Sequence, residues 1–273
     1  MVAHPTYFIL GILLFNGLQR PFYYYPFLML LNFFIFIVFI WLTNKYYDKK
    51  EAIFSMTPII MAGTIMLNME GYGFYAYAAA GFIGILSRSL LRTNAGHIFN
   101  PGFFGVFALS MLAPKQASFS LGLWQSNEFF LAIILCLGHV VVYRARRLSV
   151  CYGYILGFSF IAIVASIAVK TLGFNYNGLE DIPVLFWPST LTTATSLIFI
   201  FHVISDPKTS PTDSKNQFVY GCLIALVDFT LRISLIIPAE ALSYILIQSI
   251  YGVSNIYLSK SKPENQPSFQ LSG

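Results

Sequence analysis

Apolar residues in this chain come in long unbroken runs separated by short polar stretches; they do not alternate with polar residues. A helix that crosses a bilayer needs about 20 predominantly apolar residues. Runs at 26–43, 52–69, 73–91, 129–143, 148–169, 184–203, 217–237 and 239–257 meet or approach that length, and each predicts a spanning helix. A ninth run, 98–113, is interrupted near its start by Asn-Pro-Gly, and a shorter one at 6–18 is either a tenth helix or an interfacial segment. Strands are not expected, because a membrane β-barrel would need alternating segments. The expected fold is therefore all-α: a polytopic membrane protein of 9–10 transmembrane helices, with broken helices at two motif loops. It would form a single membrane domain over 1–258, followed by a polar, disordered cytoplasmic tail at 259–273.

Composition supports the same expectation. Of the 273 residues, 57% are hydrophobic and only 10% are charged, with a mean hydropathy of +0.70. A soluble domain carries about 25% charged residues, so this chain has too little polar surface to cover a water-soluble globule. The net charge of +5 reads as cytoplasmic loops and not as a nucleic-acid surface. If the loop after 26–43 is cytoplasmic and nine segments cross, the inside loops carry Lys45, Lys49, Lys50, Arg88, Arg92, Arg144, Arg146, Arg147, Lys208, Lys215, Lys260 and Lys262. The outside loops carry Arg20, Lys115 and Lys170. That asymmetry satisfies the positive-inside rule. The opening "MVAHPTYFIL" has no basic n-region and no cleavage signature, so no removable signal peptide is expected. Cys136, Cys151 and Cys222 lie in or beside apolar runs without CxxC spacing and read as small buried residues, not as a disulfide or metal set.

Two polar interruptions stand out. "GHIFNPGFFG" at 96–105 holds His97, Asn100, Pro101, Gly102 and Gly105. Pro101 disfavours helix at Asn100, the glycines permit close approach of another backbone or a ligand, and a helix beginning after Pro101 would aim free N–H groups back at the loop. An anion would suit that place; an ordinary loop-to-helix start with Pro in its first turn is the plain alternative. "FHVISDPKTSPT" at 201–212 has the same grammar: Asp206 before Pro207, then Lys208, Thr209, Ser210 and Thr212. Hydroxyls and a lysine can hold phosphate, and Asp206 can cap a helix; a solvated cytoplasmic turn is the alternative. The positive-inside count puts both interruptions on the same side.

Charges also fall inside the apolar runs. Asp228 and Arg232 stand four apart and share a helix face. Ionised groups at such depth are costly unless paired, so they form either a structural ion pair or a station for a cation or proton. Glu240 and Glu70 border the outer surface, where each is an exposed loop acid or an ion entry point. His139 and His202 near helix ends read as packed or interfacial residues.

Taken in order, "FNPGFFG", "SDPKTSPT", "FVYGCLIALVDFTLRI" and "PAEALSYILIQSIYG" resemble the membrane subunits of two ion-pumping redox complexes. These are the B subunit of the sodium-translocating NADH:quinone oxidoreductase and the D subunit of the Rnf electron-transport complex. The similar positions are Asn100, Pro101 and Gly105; Asp206 and Pro207; Tyr220 and Gly221; Arg232; and Pro238 with Glu240. Together they cover roughly residues 90 to 257. The resemblance implies about ten helices, flavin, electron transfer coupled to Na⁺ or H⁺ movement, partner subunits of a redox complex, and a bacterial inner-membrane location. Relatives attach FMN through the Thr of a Ser-Gly-Ala-Thr motif. This chain has "LAPKQASFSLGLWQS" in that region, so it is similar to a divergent branch lacking the attachment site. The flavin expected here is FMN or riboflavin held non-covalently at His97, Asn100, Pro101, Gly102, Gly105, Asp206, Lys208, Thr209, Ser210 and Thr212. Asp228, Arg232 and Glu240 are the expected ion pathway. No nucleophilic triad and no metal-ligand spacing is present in the sequence. A solute or ion transporter without redox chemistry, on a scaffold resembling urea channels, is the alternative.

Overall fold

A computed structural model describes residues 67–69, 73–93, 96–113, 117–119, 128–172, 189–236 and 238–261, with Phe34 standing alone beyond them. The predicted helices at 6–18, 26–43 (except Phe34) and most of 52–69, Glu70 and the tail beyond 261 lie outside the described residues.

The described part is dominated by helices. In chain order they are α1 (Gly73–Leu90), α2 (Pro101–Leu112), α3 (Glu128–Arg144), α4 (Leu148–Leu172), α5 (Ala194–Ile198), α6 (Ser214–Ile233) and α7 (Ala239–Ser261). Five of the expected apolar runs match α1, α3, α4, α6 and α7 with small shifts at the ends. The last helix persists to Ser261, beyond the expected tail boundary at 259. Among the described residues one helix, α4, is long and apolar enough to cross a membrane.

Three differences from the sequence expectation have physical causes. The run 98–113 contains only a 12-residue helix, about 18 Å long, because Pro101 sets its first turn and Asn100 stays extended as the cap. The run 184–203 is not one helix within its described part, 189–203. Thr193 caps the five-residue α5, which continues into a π-helical turn, Phe199–Val203, closed by the Ile204 N–H donating to the Phe199 carbonyl at 3.1 Å. Among the described residues four short strands also occur where none was expected. Strand β1 (Leu67–Met69) pairs antiparallel with β4 (Ala117–Phe119), and β2 (Arg92–Thr93) with β3 (Gly96–His97). The β1–β4 ribbon joins the chain before α1 to the chain after α2. The β2–β3 ribbon closes the opposite end of this helical hairpin.

Packing across the hairpin is close. A Cβ on Gly105 would lie 2.0 Å from the Ala80 carbonyl oxygen, so α2 presses directly on the α1 backbone. The same happens between α4 and α6, which run parallel. A Cβ on Gly153 would meet the Phe218 oxygen at 2.2 Å, and one on Gly221 the Val150 oxygen at 2.3 Å. Gly153 and Gly157 form a G-x-x-x-G row on α4, with Gly221 and Ala225 opposite on α6. Small residues at this spacing let helix backbones touch. The core that results holds Phe103, Tyr154, Phe158, Phe199, Ile224 and Tyr244, all essentially without solvent exposure. Tyr154 and Tyr244 each set an edge against Phe199, at 5.5 and 6.4 Å between ring centroids. Outside, Leu156, Phe160, Val164 and Ile167 of α4 form an exposed apolar stripe.

Candidate functional site

The two interruptions meet. Asn100 caps α2: its Oδ1 accepts from the Phe103 N–H at 3.2 Å, and its Nδ2 donates to the His202 carbonyl at 3.2 Å, across 102 residues of sequence. The Asn100 N–H donates to the Tyr244 hydroxyl at 2.8 Å. Beside them the His97 Nε2 lies 3.4 Å from the Asp206 Oδ2. Asp206 also organises its own turn, its Oδ1 accepting from the Lys208 N–H at 3.0 Å and its carbonyl from the Ser210 hydroxyl at 2.8 Å.

Two side chains outside the expected set lock this junction. Gln248 on α7 donates through Nε2 to the Ile98 carbonyl at 2.5 Å and to the Thr209 carbonyl at 3.0 Å, tying both turns to one helix. Arg147, in the turn between α3 and α4, is only 8% exposed. Its Nε donates to the Ser210 hydroxyl at 2.9 Å and its Nη2 to the Pro207 carbonyl at 3.2 Å. Burial pulls its guanidinium below the ordinary arginine value, against opposing pulls from Tyr251 and Asp206. The "RARR" run gave a sign of charge but no sign that its last member turns inward, because a surface arginine and a buried one have the same letter. Gln248 had no sequence signal beyond a polar residue on an otherwise apolar helix face.

As a seat for a flavin, this arrangement is a poor fit. The Asn100 amide, the Asp206 carboxylate and the Ser210 hydroxyl are engaged with protein partners, and the Thr209 hydroxyl leans on the Asp206 carbonyl at 3.4 Å. Pro101 and Gly102 are buried, and Gly105 faces α1. Lys208 and Thr212 are exposed. Of the groups read in sequence as ligand donors, His97, Asn100 and Asp206 instead hold the two segments to each other.

A second polar group lies deeper in the bundle. Arg232 Nε sits 3.1 Å from both carboxylate oxygens of Asp228, and its Nη2 lies 2.5 Å from Glu240 Oε1. Tyr154 donates to Asp228 Oδ2 at 2.6 Å, and the Ser196 hydroxyl donates to Glu240 Oε1 at 2.5 Å. Asp228 is completely buried and Glu240 nearly so. Glu240, expected at an exposed border, is drawn inside as the second partner of Arg232. Four elements thus converge: α4 through Tyr154, α5 through Ser196, α6 through Asp228 and Arg232, and α7 through Glu240. About 21 Å of helix axis separates Asp228 from Ser214 at the junction end.

The comparisons with known proteins add no identity. The chain matches no protein-family model and no curated protein. Among the described residues no group of three or more His, Cys, Asp or Glu could hold a metal ion.

Proposed function

We propose that this chain is a multi-pass membrane protein that moves Na⁺ or H⁺ across the bilayer, as the membrane subunit, or a relative, of a redox-driven ion-translocating electron-transport complex. The observation that carries the reading is the deep cluster. One guanidinium faces two carboxylates there, leaving one negative charge on buried acids. A purely structural pair would need one carboxylate; the second creates a place where a small cation or a proton is favoured. Ionisable residues at bilayer depth are most often functional.

The membrane reading has separate support. The exposed apolar stripe on α4 suits lipid. The tight glycine contacts suit helices that associate without a hydrophobic drive. Arg88, Arg144, Arg146, Arg147, Lys208 and Lys215 gather at the junction end, while Lys170 closes α4 at the other. The redox part rests on the sequence resemblance alone. The engagement of the two turns by protein partners favours the second reading, an ion or solute transporter without redox chemistry.

Reconstitution into sealed vesicles tests both. Wild-type protein is expected to carry Na⁺ or H⁺ down an imposed gradient or with an electron donor, and Asp228→Asn and Glu240→Gln to lose most of that flux while still assembling. Flux only with a donor, in protein that purifies yellow, supports the redox form. Flux without a donor supports the transporter. No flux of either ion in either condition overturns the proposal.

A further inference from the structure

The junction end carries more positive charge than its own packing uses. The backbone of the α3–α4 turn is fastened to the 205–217 segment at several points. Arg147 holds Ser210 and Pro207, the Gln217 Nε2 donates to the Arg146 carbonyl at 3.1 Å, and Ser149 and Ser214 share a hydrogen bond of 2.6 Å. Arg146 turns through a left-handed conformation with φ of 57°. This fastening brings Arg144, Arg146, Lys208 and Lys215 around one rim, and all four are exposed. Two nearby acids among the described residues are otherwise engaged. Asp213 caps α6 through the Lys215 and Asn216 N–H groups, and Asp206 faces His97 and the Lys208 N–H. Among the described residues none of the four cations is in an ion pair. With Arg147 included, five cations of this rim stand against two carboxylates among the described residues, a surplus of three.

The rim also continues into apolar surface. Leu137, Val140 and Tyr143 are exposed along α3 below Arg144, and Phe218 and Val219 are exposed on α6 one turn from Lys215. A charged band above a greasy one, with a tyrosine between them, matches the layering of a lipid leaflet.

We propose that this rim is a binding surface for anionic phospholipid headgroups of the cytoplasmic leaflet, with Arg144, Arg146, Lys208 and Lys215 contacting phosphate and the exposed α3 and α6 side chains meeting the acyl chains. The proposal rests on the membrane reading above. Arg147 is a positioning residue: its buried clamp fixes the turn that presents Arg144 and Arg146, so the rim is organised before lipid arrives.

The test uses the full chain purified in neutral detergent, titrated in parallel with phosphatidylglycerol, phosphatidylcholine and inorganic phosphate, following thermal unfolding and counting retained lipid by native mass spectrometry. Phosphatidylglycerol is expected to be retained and to raise the unfolding temperature, with an effect that shrinks as salt rises. Phosphatidylcholine should do neither. The variant Arg144→Gln/Arg146→Gln/Lys208→Gln/Lys215→Gln should unfold like wild type in phosphatidylcholine and lose about tenfold or more of its phosphatidylglycerol affinity. If it does not fold, Lys208→Gln/Lys215→Gln, both at exposed positions, carries the same test with a smaller loss. Equal response to the two lipids, an unchanged variant, or inorganic phosphate stabilising as strongly as phosphatidylglycerol would each overturn the proposal. Alkaline carbonate washing of cell membranes separates the two readings. A chain washed free overturns both, whereas a chain retained without lipid preference overturns only this one.

Discussion

At the scale of single residues, two side chains hold the junction by different means. Asn100 links local and distant structure through one amide: the oxygen ends α2 and the nitrogen reaches the chain beside the other turn. Asn100→Ala removes a helix cap, typically about 1 kcal/mol, and leaves the His202 carbonyl without this donor. A loss of about 2 kcal/mol is expected in denaturant unfolding. Arg147→Ala strips donors from the Ser210 hydroxyl and the Pro207 carbonyl, and about 1–3 kcal/mol should be lost. Hydrogen exchange should rise across 205–213 more than along α4. Arg147→Lys should rescue little, since an ammonium cannot offer a planar fork to two partners. The letters Asn-Pro announced the cap, and both residues sit where the helix-start reading put them. The inward turn of Arg147 was not legible, because only the meeting of distant segments decides which arginine is buried.

At the scale of elements, the informative contact is backbone on backbone. Gly153→Leu or Gly221→Val would drive a side chain into a carbonyl oxygen of the facing helix, and neither helix can retreat without opening the core around Tyr154 and Ile224. A loss of about 3 kcal/mol is expected, read as a lower unfolding temperature and poorer recovery of folded protein. Gly157→Ala should be milder, because the nearest atoms there stand 3.3 Å away. The run 184–203 shows what hydropathy alone misses. Thr193 is a competent cap in the middle of an apolar stretch, and capping is a side-chain hydrogen bond that an average over 20 residues erases. The short strands were equally invisible, since two or three paired residues leave no periodicity to detect.

At the scale of the whole molecule, the described helices run between two ends of different chemistry. Helices α4 and α6 leave the junction together, and α7 returns to it, with Gln248 and Gly252 beside Ile98. The positive-inside count drawn from sequence placed Arg92, 144–147 and 205–215 on one side, and in the structure His97 meets Asp206 while Arg147 meets Ser210 and Pro207. If that end is cytoplasmic, Lys208→Cys should react with an impermeant thiol reagent only from inside, and Lys170→Cys only from outside, measured in a background lacking Cys136, Cys151 and Cys222. Labelling of both from the same side would refute the arrangement. That these segments share one end was readable, because the sign of charge repeats along the chain where they fall. The junction's interior was not, because His97, Asn100, Asp206, Thr209 and Ser210 have protein partners more than a hundred positions away or in their own turn.

The glycine seam has one further consequence. Two rods meshed at their spines neither slide nor roll without breaking several contacts at once, so α4 and α6 move as one body. A rearrangement around Asp228 therefore has to leave this pair intact.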